Sequence, residues 1–210
     1  DSCPVWHTRE ETLDPAVMAA FRYSLIRSLK NQPFLLMESV TSAVNWHPRC
    51  TLKRPGMHEL SSLQAVAHGS NSVQYFQWRK SRGGSEKFHG AVVDHRNGEN
   101  TRVFREVAHL GQRLEALSDK VMQTCNRPRA AIVFDWENRW AAEDAQAIIN
   151  PLDFLEKWMP WFRPFWEQGV DVDIVDMDSS LEEYSLVVAP LNYMYRGDYA
   201  QRVRAFVEAG

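Results

Sequence analysis

Glu38 directly follows four large apolar residues, Phe34-Leu35-Leu36-Met37. A short continuous apolar run after Asn31-Gln32-Pro33 predicts a strand buried on both faces, as in a parallel sheet, and the charge at Glu38 ends it abruptly. The commonest fate of such a glutamate is a solvated strand end, but its company argues for chemistry. The following loop carries Asn45 and Trp46, the next expected strand ends in Tyr75-Phe76-Gln77-Trp78, and the loop beyond holds Glu86, Lys87 and His89. In a β/α barrel the reacting groups sit on loops at the C-terminal ends of strands. Acids, amides and aromatic faces at one barrel mouth are the composition of a sugar site, which needs apolar platforms for the ring and paired polar groups for its hydroxyls.

The elements that would hold these residues are legible in outline. Asp14-Pro15 reads as an N-cap followed by proline at the first helical position, with Val17, Met18, Phe21, Leu25, Ile26 and Leu29 at helical spacing. Ser39–Pro55 reads as a loop, Met57–His68 as a helix closed by Gly69, Ser72–Trp78 as a strand and Arg79–Gly84 as a Gly-rich basic turn. Thr101–Thr124 is a long amphipathic helix with Val103, Val107, Leu110, Leu114 and Leu117 on one stripe. That alternation is the rhythm of a β/α barrel or a doubly wound sheet. The register restarts near Asn126–Arg129. Ala130–Phe134 and Ser185–Pro190 read as buried strands and Val170–Val175 as an alternating one, while Leu152–Gln168 and Asp198–Ala209 read as helices. Two domains are expected, residues 1–126 and 127–210.

Composition narrows the classes. Hydrophobic residues make up 44% and charged residues 24% of the 210, ordinary globular values. A net charge of −3 offers no basic surface for nucleic acid or anionic lipid, and no apolar run approaches membrane-spanning length. Cys3, Cys50 and Cys125 lie far apart without metal-ligand spacing, so no zinc site is read and nothing calls for a cofactor. So sparse a set fits a reducing compartment better than a disulfide framework. With 8 Trp, 10 Phe and 6 Tyr, most aromatics are expected in the core and a few against a ligand. The chain starts at Asp1 without a signal peptide and stops at Gly210, where a helix would hand over to a strand, so both ends read as cut from a longer protein.

Five blocks in order carry a family resemblance: Phe34–Trp46 (FLLMESVTSAVNW), Lys53–Met57 (KRPGM), Ser62–Gly69 (SLQAVAHG), Tyr75–Ser81 (YFQWRKS) and Glu86–Gly90 (EKFHG). Together they resemble glycoside hydrolase family 42, the β-galactosidases, and the flanking helices and second domain do so too. The resemblance implies the C-terminal part of a (β/α)₈ TIM barrel followed by part of an α/β trimerisation domain with a class I glutamine-amidotransferase-like, flavodoxin-like fold. It implies Glu38 as the nucleophile, Trp46 and Phe76 as aromatics of the galactose subsite, and Glu86 with His89 as the pair that binds galactose hydroxyls. It further implies a galactoside substrate, a homotrimer and a cytoplasmic, mostly bacterial setting. A retaining glycosidase of this kind uses two carboxyl groups roughly 5–5.5 Å apart, one attacking C1 and one protonating the leaving oxygen. Arg79 or Arg82 is a candidate for holding Glu38 ionised; a rim salt bridge is an equal alternative for either.

The family's acid/base follows an Asn, and the chain contains no Asn-Glu dipeptide. The second carboxyl group is therefore expected outside it, and the isolated chain is expected to be inactive. Trp136-Glu137-Asn138 with Arg139-Trp140 reads as a strand-end interface anchor or as ordinary packing. Trp158, Trp161 and Trp166 are expected to lie exposed on a Pro-broken helix that a trimer would bury. Two rival functions stay open: a related β-glycosidase or α-L-arabinopyranosidase, and a non-catalytic carbohydrate-binding or assembly domain. An amidotransferase activity would need a cysteine after Gly210.

Overall fold

The computed structural model describes residues 13–48, 52–122, 124–145 and 153–210. Cys3, Cys50 and Leu152, where a helix was expected to begin, lie outside them. The fold is α/β throughout, and contacts divide it into two compact units, Asp1–Tyr23 with Gln32–Cys125 and Ser24–Asn31 with Asn126–Gly210.

In the first unit, β1 (Phe34–Val40) and β2 (Ser70–Phe76) pair in parallel, with α2 (Met57–Ala67) as the crossover. Leu36 and Ala65 meet Ala19 and Tyr23 of α1 (Leu13–Ser28) in a buried cluster, with Phe34 and Val73 against it. Gly69, at φ 99, supplies the left-handed turn between α2 and β2. Beyond β2, α3 (Arg102–Val121) starts at Thr101, whose hydroxyl accepts from the Phe104 amide at 3.1 Å, and its apolar stripe centres on buried Leu110.

Strand β1 departs from expectation in two ways. It does not stop at Met37: Ser39 and Val40 pair with Tyr75 and Phe76, so the ladder carries the strand through Glu38. Nor is it buried on both faces, since Leu36 is 4% exposed but Leu35 is 55% and Met37 61% exposed. The helical cluster covers one side only. The register moves from Leu36↔Val73 to Ser39↔Tyr75, so β1 carries one extra residue at Met37-Glu38. That is a β-bulge, a device that re-aims a side chain.

The second unit is a parallel sheet of order β4-β3-β5, built from β3 (Ala130–Val133), β4 (Asp173–Val175) and β5 (Leu186–Val188). Ala131 and Val133 pack with Val175, Met177, Leu181 and with Tyr199 of α6 (Tyr199–Ala209). Helix α5 (Phe154–Glu167) runs unbroken through Pro160 and Pro164, because Phe154, Trp158 and Phe162 anchor it along one buried stripe. Trp158, expected at the surface, is 0% exposed; its indole donates to the Val133 carbonyl at 2.8 Å and meets Phe134 edge-on at 5.2 Å. Trp161 is exposed and Trp166 half-buried. Strand β5, expected to be buried, is a sheet edge with Leu186 exposed.

Sequence reading missed helix α4 (Trp136–Asp144). Asp135 caps it by accepting from the Asn138 amide at 2.9 Å, so the Trp136–Asn138 segment opens a helix rather than ending a strand. Asn138, fully buried, then exchanges hydrogen bonds with the Met194 backbone at 3.0 Å in both directions. Arg196 pairs with Asp135 at 2.7 Å. Burial raises the Asp135 pKa, but the Asn138 amide and the Arg196 guanidinium outweigh it and hold the carboxyl below the usual range.

The end of α1 belongs to this second unit through Arg27, which is 3% exposed. Its guanidinium donates to Asp173 at 2.8 Å and to the Val172 carbonyl at 3.0 Å, and Tyr184 donates to the other Asp173 oxygen at 2.9 Å. The strand expected over Val170–Val175 is shorter, beginning at Asp173. Removing one partner of a buried pair strands the other charge. Asp173→Ala is expected to cost about 3–5 kcal/mol in urea unfolding, and Arg27→Met combined with Asp173→Leu distinctly less. Equal losses for the single and double variants would contradict this account.

Candidate active site

The bulge in β1 carries Glu38 half-buried at the carboxyl end of the strand. Among the described residues Glu38 has no hydrogen-bond or ion-pair partner. Arg79 and Arg82 are both exposed and make no ion pair with it, so neither of them supplies the expected neighbouring charge.

The Asn45 side chain joins the loops that follow β1 and β2. Asn45 donates through Nδ2 to the Glu86 carboxylate at 2.9 Å and to the Ser85 carbonyl at 2.8 Å. Glu86 lies in a 3₁₀ turn, Ser85–Phe88, and the His89 amide closes that turn onto the Glu86 carbonyl at 3.0 Å. His89 is buried, its ring edge-on to Phe76 at 4.9 Å and its Nδ1 3.0 Å from the Gly90 carbonyl. Trp46 stands apart from this group, 62% exposed, with its ring 6.3 Å from that of His47. Thus Phe76 meets His89, Glu86 meets Asn45, and Val40, close after Glu38, pairs with Phe76.

Gly90 explains how the two loops come so close. Its amide donates to the Ala43 carbonyl at 2.8 Å. A Cβ there would run into the Ser42 hydroxyl and lie 2.7 Å from the Ala43 amide nitrogen, so only glycine fits. The chain beyond continues the clasp: the Val92 amide donates to Gln77 at 2.9 Å and the Val93 amide to Trp78 at 2.8 Å. The sequence signal for this contact was one glycine after a histidine, too little to find it.

Behind the site lies a second group that sequence reading did not single out. His58 of α2 is 1% exposed, stacks at a tilt on Tyr75 at 4.8 Å, and has no hydrogen bond on either ring nitrogen among the described residues. Burial, then the charges of Lys53 and Arg102, lower its pKa to about 3, so the imidazole is neutral. Burial likewise raises the Tyr75 pKa, tempered by its hydrogen bond with Ser62 at 3.1 Å.

Comparison with known proteins matches the chain in two consecutive ranges. The sequence model of glycoside hydrolase family 42, described as β-galactosidase, matches residues 1–117, and that of the β-galactosidase trimerisation domain matches residues 128–210. The β-galactosidase BglY of Alicyclobacillus acidocaldarius is 50% identical over 211 residues, which cover 100% of this chain and 30% of the relative. Pbg of Clostridium perfringens, also a β-galactosidase, is 48% identical over 212 residues, 100% of this chain and 31% of the relative. Among solved structures, the cold-adapted β-galactosidase of Rahnella sp. R3 superposes with a TM-score of 0.95 at 51% identity, over 100% of this chain and 31% of that one. The β-galactosidase of Bacillus circulans sp. alkalophilus gives 0.88 at 39% identity, over 92% and 29%. The chain therefore spans under a third of the length of these relatives.

The neutral His58 makes stability depend on pH. Unfolded, it takes a proton below about pH 6.5; folded, it does so only near pH 3. Its contribution is complete above the unfolded value and is lost as pH falls toward the folded one, by about 1.4 kcal/mol per pH unit. Between pH 7 and pH 5, the parent is expected to lose about 2 kcal/mol more than His58→Phe in urea unfolding. Parallel losses in the two proteins would show that His58 does not titrate in this way.

Proposed function

The chain belongs to glycoside hydrolase family 42, joining the end of its catalytic domain to its trimerisation domain, and on that premise we propose that it carries the nucleophile of a retaining β-galactosidase. The observation that carries this reading is Glu38 itself: a half-buried carboxylate on a strand bulge, with no hydrogen-bond or ion-pair partner among the described residues. An unpaired carboxylate there keeps its lone pairs free for a substrate, as a nucleophile requires.

In the proposed reaction a Glu38 oxygen attacks C1 of a terminal β-D-galactosyl residue. The glycosidic C–O bond breaks as the leaving oxygen takes a proton from a second carboxylic acid. That acid belongs to another part of the longer protein, so this chain alone does not turn over lactose. Water, deprotonated by the same second group, then attacks C1 and releases Glu38 as a carboxylate. Trp46 and Phe76 offer apolar faces to the ring. Glu86 and His89 bind hydroxyls, with Asn45 steadying the Glu86 carboxylate at 2.9 Å.

The second unit assembles the enzyme. We assign to it a homotrimer contact through the exposed rings of Trp136, Trp140 and Trp161, with the Arg139 guanidinium over Trp136 at 5.3 Å. Trp158, fully buried, takes no part in that contact. No described helix is long and apolar enough to cross a membrane, and the sparse cysteines suit a cytoplasmic setting.

Two measurements test this. Full-length protein treated with an activated 2-deoxy-2-fluoro-β-galactoside should yield a peptide adduct on Glu38, and Glu38→Gln should lower kcat by about 10³-fold or more. An adduct on another residue would sink the assignment. Sedimentation of Trp140→Glu combined with Trp161→Glu should show smaller species than the parent trimer; an unchanged trimer would move the interface elsewhere.

A further inference from the structure

Lys53 is among the most deeply buried side chains of the first unit, at 1% exposure. Lysine is almost never fully buried unless its ammonium is satisfied, because taking the charge out of water costs several kcal/mol. The place where that ammonium is directed is therefore informative. Its Nζ donates to the Val40 carbonyl at 2.7 Å. Val40 is the last residue of β1 and stands just past the Glu38 bulge.

The Lys53 backbone is itself fixed at two points. Its amide donates to the Ser42 carbonyl at 3.2 Å. Its own carbonyl accepts from Arg102 at 2.8 Å, and Arg102 is gripped by both Glu106 oxygens at 2.9 Å. Just past the end of β1, Thr41 Oγ1 is buried and has no hydrogen bond among the described residues. The neighbouring His58, kept neutral, does not repel the ammonium.

We propose that Lys53 is a positioning residue for Glu38: its buried ammonium holds the Val40 carbonyl, and with it the bulge that presents the carboxylate to the substrate. The proposal rests on the reading of Glu38 as nucleophile. Lys53 touches no reacting atom. Its effect belongs in the rate of attack more than in sugar binding, because Glu86 and His89 lie on the loop beyond β2.

The test uses the full-length enzyme and an activated 2-deoxy-2-fluoro-β-galactoside, followed by burst amplitude and mass. The number of labelled sites counts correctly folded enzyme, so misfolding lowers the amplitude and leaves the rate constant per labelled site untouched. In Lys53→Met that rate constant is expected to fall about tenfold or more, with the half-saturating reagent concentration within about threefold of the parent, since small misplacements of a reacting group cost rate steeply. In Lys53→Ala, propylammonium is expected to restore part of the rate, which a purely structural defect would not allow. Lys53→Arg keeps a cation but displaces the contact, and is expected to slow the per-site rate about threefold or more. A per-site rate equal to the parent's in any folded variant overturns the proposal. An adduct away from Glu38 in the parent overturns instead the assignment on which it rests.

Discussion

The pairing of β1 with β2 slips by one residue between Leu36 and Ser39, and the site depends on that slip. Upstream of it, Leu36 faces a helical cluster and fixes the strand in the core. Downstream, Ser39 and Val40 are again paired and buried. The extra residue lies between two anchored stretches, so Glu38 is held at half-burial by constraints on both sides rather than by a partner of its own. In an unbroken ladder, strict alternation would have set Glu38 to the same side as Leu36, against the apolar cluster. A carboxylate there would be buried without compensation.

The loops at the carboxyl end of the strands are held by main chain more than by side chains. Gly90 to Ala43, Val92 to Gln77 and Val93 to Trp78 are backbone bonds, and the Gly90 contact leaves no room for a Cβ. This has a chemical consequence. Backbone bonds fix geometry without drawing on the polar side chains that face a ligand, and Asn45 to Glu86 links two such side chains directly. The second unit does the opposite at the corresponding edge of its sheet. Asp135, Asn138 and Arg196 satisfy one another and close the Met194 segment over the carboxyl end of β3, the place where open α/β sheets commonly take ligands. The same architecture thus leaves its polar groups available in one unit and consumes them in the other.

Much of this was legible in the sequence. Strand-like runs located β1, β2 and β3, and the stripe through Leu110 located α3. Ordered blocks from Phe34 to Gly90 pointed to family 42, which the match over residues 1–117 bears out. The failures share a cause, which is that local pattern does not report tertiary partners. Two prolines suggested a broken α5, but a buried stripe of aromatics kept it continuous and drew Trp158 inside. The start of α4 was hidden because Asp135 serves as cap and ion-pair partner at once. Lys53 and His58 read as ordinary polar residues of a loop and a helix. Only the fold reveals that both are buried.

Their burial also bears on why the site can be built on so short a stretch. A half-buried carboxylate without a partner is unfavourable, and so is a buried ammonium or an imidazole with no hydrogen bond. All three occur within one unit, around the carboxyl ends of two adjacent strands. The cost is offset by what surrounds them: Ala19, Tyr23, Leu36 and Ala65 below, and the Arg102–Glu106 pair that fixes Lys53 from α3. The uncompensated polar groups gather near the end of β1, and the apolar cluster includes Leu36 of the same strand. In functional sites in general, preorganised polar groups are retained against their own cost in stability.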